Sequence, residues 1–417
     1  MFELCLFDLD QTLVKTDDLT VLRESGKNKD SASYRAEVVR GFATDKGRII
    51  YSHELIKEIR AKFPELKLGV FTRAPRSYAE VILEQAYPGF EWDTIVAYED
   101  VKRTKPYGDG VGKAMQDAGC NSVNNVILVG DGDADIRAGY NAGCVVVLDK
   151  SSWGVGYTND NWRAMGHIPD VIIKKPEELI DVLVDYTRYL PELERLLYEA
   201  EGRAGNARYD RINKFIPKEA GGDKTAFPIF ACGRSFAGYK CLEARRSWHK
   251  LTASIHKQKD AEEFPYEWVQ AVRMFILSKF KDVCVGGKLT VTVIPHRPGR
   301  TPRLEAFLSQ LQSSYAKPQI FGPKKLSFVP DLLGYKNGVR SNSNDKLSAI
   351  ERFENVRDHL IVRQPEVAKM AQRVLVIDDV STTGSTLIYA KKYLEEAGVQ
   401  EVVCLSIAAN ISSVIND

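Results

Sequence analysis

The sequence predicts an α/β chain of two open-sheet units, each with a ligand site at the carboxyl edge of parallel strands. Three observations carry this. Short apolar runs alternate with helix-patterned segments in both halves, the rhythm of a parallel sheet with crossover helices. Several of those runs end abruptly in carboxylates or hydroxyls, at the edge where open α/β sheets hold their ligands. The charge is also divided: residues 1–189 carry 24 Lys and Arg against 30 Asp and Glu, and the remainder carries 34 against 26. The net charge of +2 over 417 residues therefore conceals an acidic half suited to a hard cation and a basic half suited to a polyanion.

In chain order, the first half offers strands at Phe2–Phe7, Lys67–Phe71, Thr94–Ala97, Val126–Val129, Cys144–Leu148 and Val171–Ile173. Helices are expected at His53–Lys62, Tyr78–Gln85, Gly110–Ala118 and Ile136–Ala142, with a closing helix from Pro176. Pro191–Glu201 reads as a connecting helix, and the Gly-, Lys- and Asp-rich stretch up to Thr225 reads as a boundary. The expected division is a first domain over 1–188, a linker over 189–225 and a second domain over 226–417. In the second half, Leu289–Ile294, Val374–Ile377 and Val402–Ile407 read as strands, and Ser385–Ala397 as a helix that Gly398 stops. Asn337–Lys346 reads as a mobile loop. At 44% hydrophobic and 27% charged, the composition excludes a disordered, collagen-like or disulfide-scaffold chain. No apolar run approaches the ~18 residues of a membrane span, and no secretory signal layout opens the chain. Seven scattered cysteines without close pairs are expected as reduced thiols in a cytoplasmic protein.

The first strand runs into Asp8-Leu9-Asp10-Gln11-Thr12-Leu13. Two carboxylates two residues apart at a strand end can face one crevice. Asp8 could attack phosphorus, and Asp10 could protonate the leaving oxygen and later deprotonate water. Thr72 follows the second strand with a hydroxyl for a phosphate oxygen. Lys105-Pro106 is expected to open a helix and place an ammonium against phosphoryl charge. The run Asp131-Gly132-Asp133-Ala134-Asp135 supplies further hard oxygen ligands suited to Mg²⁺. In order and spacing, these four elements over Met1–Val184 resemble the haloacid dehalogenase-like (HAD) phosphohydrolase superfamily. The resemblance implies a Rossmann-like domain with Asp8 as nucleophile and metal ligand and Asp10 as acid/base with its carbonyl on the metal. It further implies Thr72 and Lys105 on phosphate, Asp131 on Mg²⁺, and Asp135 on it directly or through water. Gln11 stands where the family more commonly has Gly. Lys15–Ile50 and Pro75–Glu99 are too short for a large cap, so a small cap or none is expected, over an open site. Arg73 and Arg76 could read a second anion there, or be plain surface residues.

Near the end of the chain, a buried strand closes in Asp378 and Asp379 and turns through Ser381-Thr382-Thr383-Gly384-Ser385-Thr386 into a helix. Backbone N–H groups of such a turn form an anion nest, and the hydroxyls add hydrogen bonds. The neighbouring acids suit vicinal ribose hydroxyls. No Gly-Lys-Ser/Thr ending is present, which argues against an ATPase P-loop. The block resembles the phosphoribosyl diphosphate (PRPP) signature of type I phosphoribosyltransferases, and its surroundings over Phe227–Asn410 are most similar to the ComF-like branch. Two departures stand out: the zinc ribbon of that branch is missing, and Arg300–Leu304 replaces its R-G-F-N-Q run, which leaves base recognition unassigned. Arg297 and Arg300 are candidates for the diphosphate, with a generic basic loop as the alternative.

Together these resemblances imply a bifunctional Mg²⁺-dependent enzyme that transfers phosphoribose from PRPP to a base and hydrolyses a phosphomonoester, making and dephosphorylating a nucleotide-like metabolite. The alternative is a PRPP- or nucleotide-sensing regulator or stress effector in which only the phosphatase works. PRPP and a base are the expected partners. Neither a membrane nor nucleic acid is expected, and homo-oligomerisation is left open.

Overall fold

The computed structural model describes residues 1–27, 29–258, 261–315, 325–340 and 347–412. The chain divides into two compact units: residues 1–189 with 236–249 form the first, and residues 190–235 with 250–411 form the second.

The first unit is built on six parallel strands, β1 (Leu4–Phe7), β2 (Lys67–Phe71), β3 (Thr94–Val96), β4 (Val126–Gly130), β5 (Val145–Asp149) and β6 (Val171–Ile173). Their order is β3-β2-β1-β4-β5-β6. The central strands are buried throughout, which is why they read as continuous apolar runs. β1 pairs with β2 on one side (Phe7 opposite Val70) and with β4 on the other (Phe7 opposite Val129). That register brings Asp8, Thr72 and Asp131 off the same edge of three adjacent strands. Between β1 and β2, among the described residues, lie a 3-10 turn Asp17–Leu19 and helices Thr20–Ser25 and Ala32–Phe42, followed by helix His53–Lys62. Lys105-Pro106, joined by a cis peptide, precedes the helix it was expected to open, which begins at Asp109.

The second unit centres on β10 (Leu289–Val293), β14 (Arg373–Ser381) and β15 (Glu401–Ile411), paired in parallel. Its seven-stranded sheet runs β11 (Leu326–Phe328), β10, β14, β15, β8 (Phe227–Ala231), β7 (Asp210–Lys214), with β9 (Arg234–Phe236) also on β15. A separate antiparallel pair joins β12 (Leu333–Tyr335) to β13 (Leu360–Val362). The stretch expected as a linker differs from that reading. Helix Glu192–Leu197 belongs to the second unit, and β7 pairs antiparallel with β8 as an edge strand. Glu194 and Arg234 are both fully buried and paired there: the Arg234 Nε–H donates to Glu194 Oε1 at 2.9 Å, as does the Arg234 backbone N–H at 2.8 Å. Two helices, Lys250–Lys257 and Tyr266–Lys279, precede β10, with Pro265 at the N-terminal boundary of the second. Of the expected mobile loop, residues 341–346 lie outside the described residues. All seven cysteines are free thiols, and Cys5, Cys144, Cys232 and Cys404 are buried. Among the described residues no helix is long and apolar enough to cross a membrane.

Candidate active sites

The first site grows out of the β1 carboxyl edge. Asp8 leaves the strand with its backbone N–H on the Val129 carbonyl at 2.8 Å, so its side chain emerges between β2 and β4. Gln11 then takes a left-handed φ of 64°, with its N–H on the Val14 carbonyl at 2.7 Å. The turn folds Asp10 back over the sheet edge, at a cost of about 1–2 kcal/mol for a residue with a Cβ. Lys105 is buried and bridges two acids: its Nζ donates to Asp8 Oδ1 and, at 2.6 Å, to Asp135 Oδ1. Asp135 also accepts the Gly132 N–H at 3.1 Å, and it lies so close to β4 that a Cβ on Gly130 would fall 2.3 Å from its Cγ. Glycine at the end of β4 is therefore what lets this carboxylate fold inward.

Oxygens of Asp8, Asp131 and Asp135 lie within 4.8 Å of one another. Against three carboxylates stands one ammonium. Burial, opposed in part by Lys105, pushes the Asp8 carboxyl up to about 7, and the charges of Asp135 and Asp10 add to the rise. Burial and then the Asp135 and Asp8 charges raise Asp131 well above its ordinary range. Burial alone would lower Lys105, but Asp135 and Asp8 outweigh it and its pKa rises. The negative charge is thus undercompensated, and the donor set is all oxygen. These residues fit a hard divalent cation. Mg²⁺ at about a hundred times its dissociation constant is expected to stabilise this unit by roughly 2.7 kcal/mol. Thermal unfolding with and without a chelator reads this directly; a midpoint that ignores both would remove the cluster as a cation site.

Asp10 is held apart from that cluster. Its Oδ1 accepts the Thr16 hydroxyl at 2.5 Å and the Tyr78 hydroxyl at 3.3 Å, and Arg23 lies 3.3 Å from its Oδ2. Thr72 is buried, and its Oγ1 accepts the Ala74 N–H at 3.0 Å. Asp133 turns away to His167 at 2.6 Å and Arg137 at 3.2 Å. A cavity of about 740 Å³ opens over these groups, lined also by Arg23, Lys27, Arg73 and Arg163. Arg73 is among its lining residues. Arg76 is not, being bound to Asp100, Glu80 and the Ile95 carbonyl. Arg23, Thr16 and Tyr78 were not anticipated, because nothing in their local sequence points to Asp10.

The second site lies where β14 meets helix Ser385–Glu396. Asp378 and Asp379 lie within β14, which stays paired with β15 as far as Ser381, and Asp378 Oδ1 accepts the Asp379 N–H at 2.9 Å. Burial, then the neighbouring Asp379 charge, pushes the Asp378 carboxyl well above its ordinary range. Ser381, Thr382, Thr383, Gly384, Ser385 and Thr386 line one wall of a cavity of about 260 Å³ with Arg352. Gly384 has a φ of 79°, and a Cβ there would meet Ile229 Cδ1 at 2.8 Å, so the turn needs glycine twice over. Lys214 on β7, inside the expected linker, donates from Nζ to the Thr382 carbonyl at 2.8 Å. Burial lowers its pKa. A polar edge strand thus brings an unforeseen cation to the loop.

A neighbouring cavity of about 380 Å³ contains Arg297 and Arg300 with Asp378 and Asp379. Arg303 pairs with the diacid, its Nη1 donating to Asp379 Oδ2 at 3.1 Å. Arg297 instead donates to the Arg340 carbonyl at 2.6 Å.

Two family models match the chain: a haloacid dehalogenase-like hydrolase over residues 20–148 and a phosphoribosyl transferase domain over residues 339–417. The first match begins after Asp8 and Asp10. Pyrophosphatase PpaX of Bacillus velezensis is 26% identical over 210 residues, 42% of this chain and 94% of the relative. Phosphonoacetaldehyde hydrolase of Bacillus cereus is 31% identical over 106 residues, 24% of this chain and 40% of the relative. Among solved structures, CbbY of Rhodobacter sphaeroides in complex with phosphate matches at 20% identity and a TM-score of 0.31, covering 43% of this chain and 96% of that one. The chain joins an N-terminal haloacid dehalogenase-like hydrolase domain to a C-terminal type I phosphoribosyltransferase domain.

Proposed function

We propose that the second unit transfers phosphoribose from PRPP to a nitrogen base and that the first removes phosphate from the resulting nucleotide. The observation that carries the phosphatase half is Lys105 clamped between Asp8 and Asp135, with Asp10 held separately on the same crevice. Asp8 attacks phosphorus as the bond to the leaving oxygen breaks, and Asp10 gives that oxygen its proton. Water then attacks the aspartyl-phosphate, Asp10 takes its proton, and Asp8 is released. Lys105 and Thr72 hold phosphoryl oxygens. Asp8, Asp131 and Asp135, with the Asp10 carbonyl, would hold Mg²⁺, which would supply charge neutralisation. In the transferase half, the turn 381–386 cradles the 5-phosphate, Asp378 and Asp379 bind the ribose hydroxyls, and Arg297, Arg300 and Arg303 face the diphosphate.

A second reading has an observation in its favour. Arg23, Lys27 and Arg73 crowd the first cavity with cations beyond the catalytic carboxylates, and one relative is a pyrophosphatase. The first unit would then consume the diphosphate that the second releases. One experiment separates these readings: phosphorus NMR of the chain with Mg²⁺, PRPP and a panel of bases. We expect diphosphate and a transient monophosphate ester that persists in Asp8→Asn. Diphosphate that persists only in Asp8→Asn favours the pyrophosphatase reading. Tight PRPP binding without diphosphate release from any base would leave a sensor in place of a transferase.

A further inference from the structure

β10 ends at Val293, and the chain continues through Ile294 and Pro295 to His296, all lining the cavity that holds Asp378 and Asp379. His296 Nδ1 lies 2.7 Å from Glu305 Oε1, and the same oxygen accepts the His296 backbone N–H at 3.0 Å. One carboxylate oxygen therefore grips both the ring and the main chain of the residue. Glu305 stands in the first turn of helix Arg303–Ser313, where unpaired backbone N–H groups favour a negative charge. An ionised carboxylate only accepts hydrogen bonds, so in this pair Nδ1 carries the proton. The lone pair is left on Nε2. The His296 side chain is 43% exposed, against 18% for Glu305, so the ring is accessible and its orienting acid sits deeper.

The other charged groups of this cavity either only donate hydrogen bonds or already accept one. The guanidiniums of Arg297, Arg300 and Arg303 have hydrogen-bond donors and no acceptor. Asp379 is engaged by Arg303, and Asp378 by the Asp379 N–H. A nitrogen nucleophile that reaches ribose C1 through an N–H must lose that proton. We propose that His296 is the general base of phosphoribosyl transfer and that Glu305 is its positioning residue. This rests on the transferase reading of the second unit and deepens it. The acceptor's nitrogen lone pair forms the bond to C1 as the C1–O bond breaks and its electron pair leaves on diphosphate. The acceptor proton passes to His296 Nε2, and the imidazolium formed is held against Glu305. The acceptor class is thus a neutral heterocycle with a ring N–H.

The test uses the full chain with Mg²⁺, PRPP and a panel of adenine, guanine, hypoxanthine, uracil and cytosine, following diphosphate release. With the base that supports wild-type turnover, His296→Ala is expected to lose on the order of 10²–10⁴ in kcat. Its PRPP dissociation constant should stay within about threefold, which also reports a folded site. Added imidazole should restore part of the lost rate. Glu305→Gln should lower kcat about tenfold with KM for PRPP unchanged, and should add little on top of His296→Ala, as expected for residues acting as one unit. A His296→Ala chain as active as wild type, or one whose lost rate imidazole leaves unrestored, overturns the proposal alone. A wild-type chain that binds PRPP but releases diphosphate with no base overturns the transferase reading, and the proposal with it.

Discussion

Asp8→Asn is expected to bring phosphate release from nucleotides and aryl phosphates to the background of uncatalysed hydrolysis while leaving the fold intact. The amide keeps the shape of the carboxylate and can still accept the Lys105 hydrogen bond, but its oxygen is no nucleophile toward phosphorus. The substitution also removes one of three crowded acids, so the metal-free chain should lose no stability. A pH signature accompanies this. The Asp8 carboxyl is raised from 3.8 to about 7 by burial against the pull of Lys105, so the folded chain holds that proton more tightly than the unfolded one. The associated stability is fully present below about 4 and is lost as pH rises through about 7. In metal-free wild type, stability from this group therefore falls between those values, and Asp8→Asn should flatten that fall. Lys105→Met provides the contrast. It leaves Asp8 and Asp135 buried without their cation, and breaking a buried pair costs about 3–5 kcal/mol. Retained turnover in Asp8→Asn would remove Asp8 as the nucleophile. Activity lost together with the melting transition would mean that the variant had merely unfolded.

What could be read from the sequence divides along a physical line. Strands buried on both faces announce themselves as unbroken apolar runs, and Lys67–Phe71 and Val171–Ile173 have the expected bounds to the residue. The acids and hydroxyls at their ends were legible for the same reason, because a polar residue directly after a core strand has few places to go but the sheet edge. Asp210–Lys214 was not legible. As an edge strand it buries only Asp210 and Ile212, and its composition matches that of a solvated connector. The environment of Asp10 was hidden for a different reason. Tyr78 reaches it across 68 residues and Arg23 from a short helix with no buried residue, so no local pattern records either contact. His296 was visible only as one letter of a basic loop. Its partner Glu305 lies nine residues on, across the break between a strand end and a helix start, where neither strand nor helix periodicity applies.

Arg245→Met is expected to destabilise the first unit by about 3–5 kcal/mol, although residue 245 lies more than fifty positions beyond the end of that domain as the sequence divides it. Residues 236–249 belong to the first unit, and Arg245 is 1% exposed within it. Its Nη2 donates to Asp170 Oδ1 and its Nη1 to the Cys144 carbonyl at 2.8 Å. The guanidinium lies 4.0 Å from the ring centre of Trp248, with Phe236 and Tyr140 at 5.2 and 5.5 Å. Asp170 is fully buried, and its other oxygen accepts the Val146 N–H of β5 at 2.9 Å. Methionine would fill the aromatic cage but take away the guanidinium charge and hydrogen bond that buried Asp170 receives beside β5 and β6. At roughly 2–4 °C per kcal/mol for a domain of this size, the midpoint should fall by about 10 °C. Tryptophan fluorescence can follow it, since Trp92, Trp153, Trp162 and Trp248 lie in the first unit and Trp268 alone in the second. Adding Asp170→Leu to Arg245→Met should recover part of the loss, because an apolar pair avoids the buried charge. A chain ending at residue 189 lacks Arg245 and the rest of residues 236–249, and should melt at least as early as Arg245→Met. If that shortened chain instead melts with the full-length one, the first unit ends where its sequence pattern ends, and the later segment contributes nothing to it.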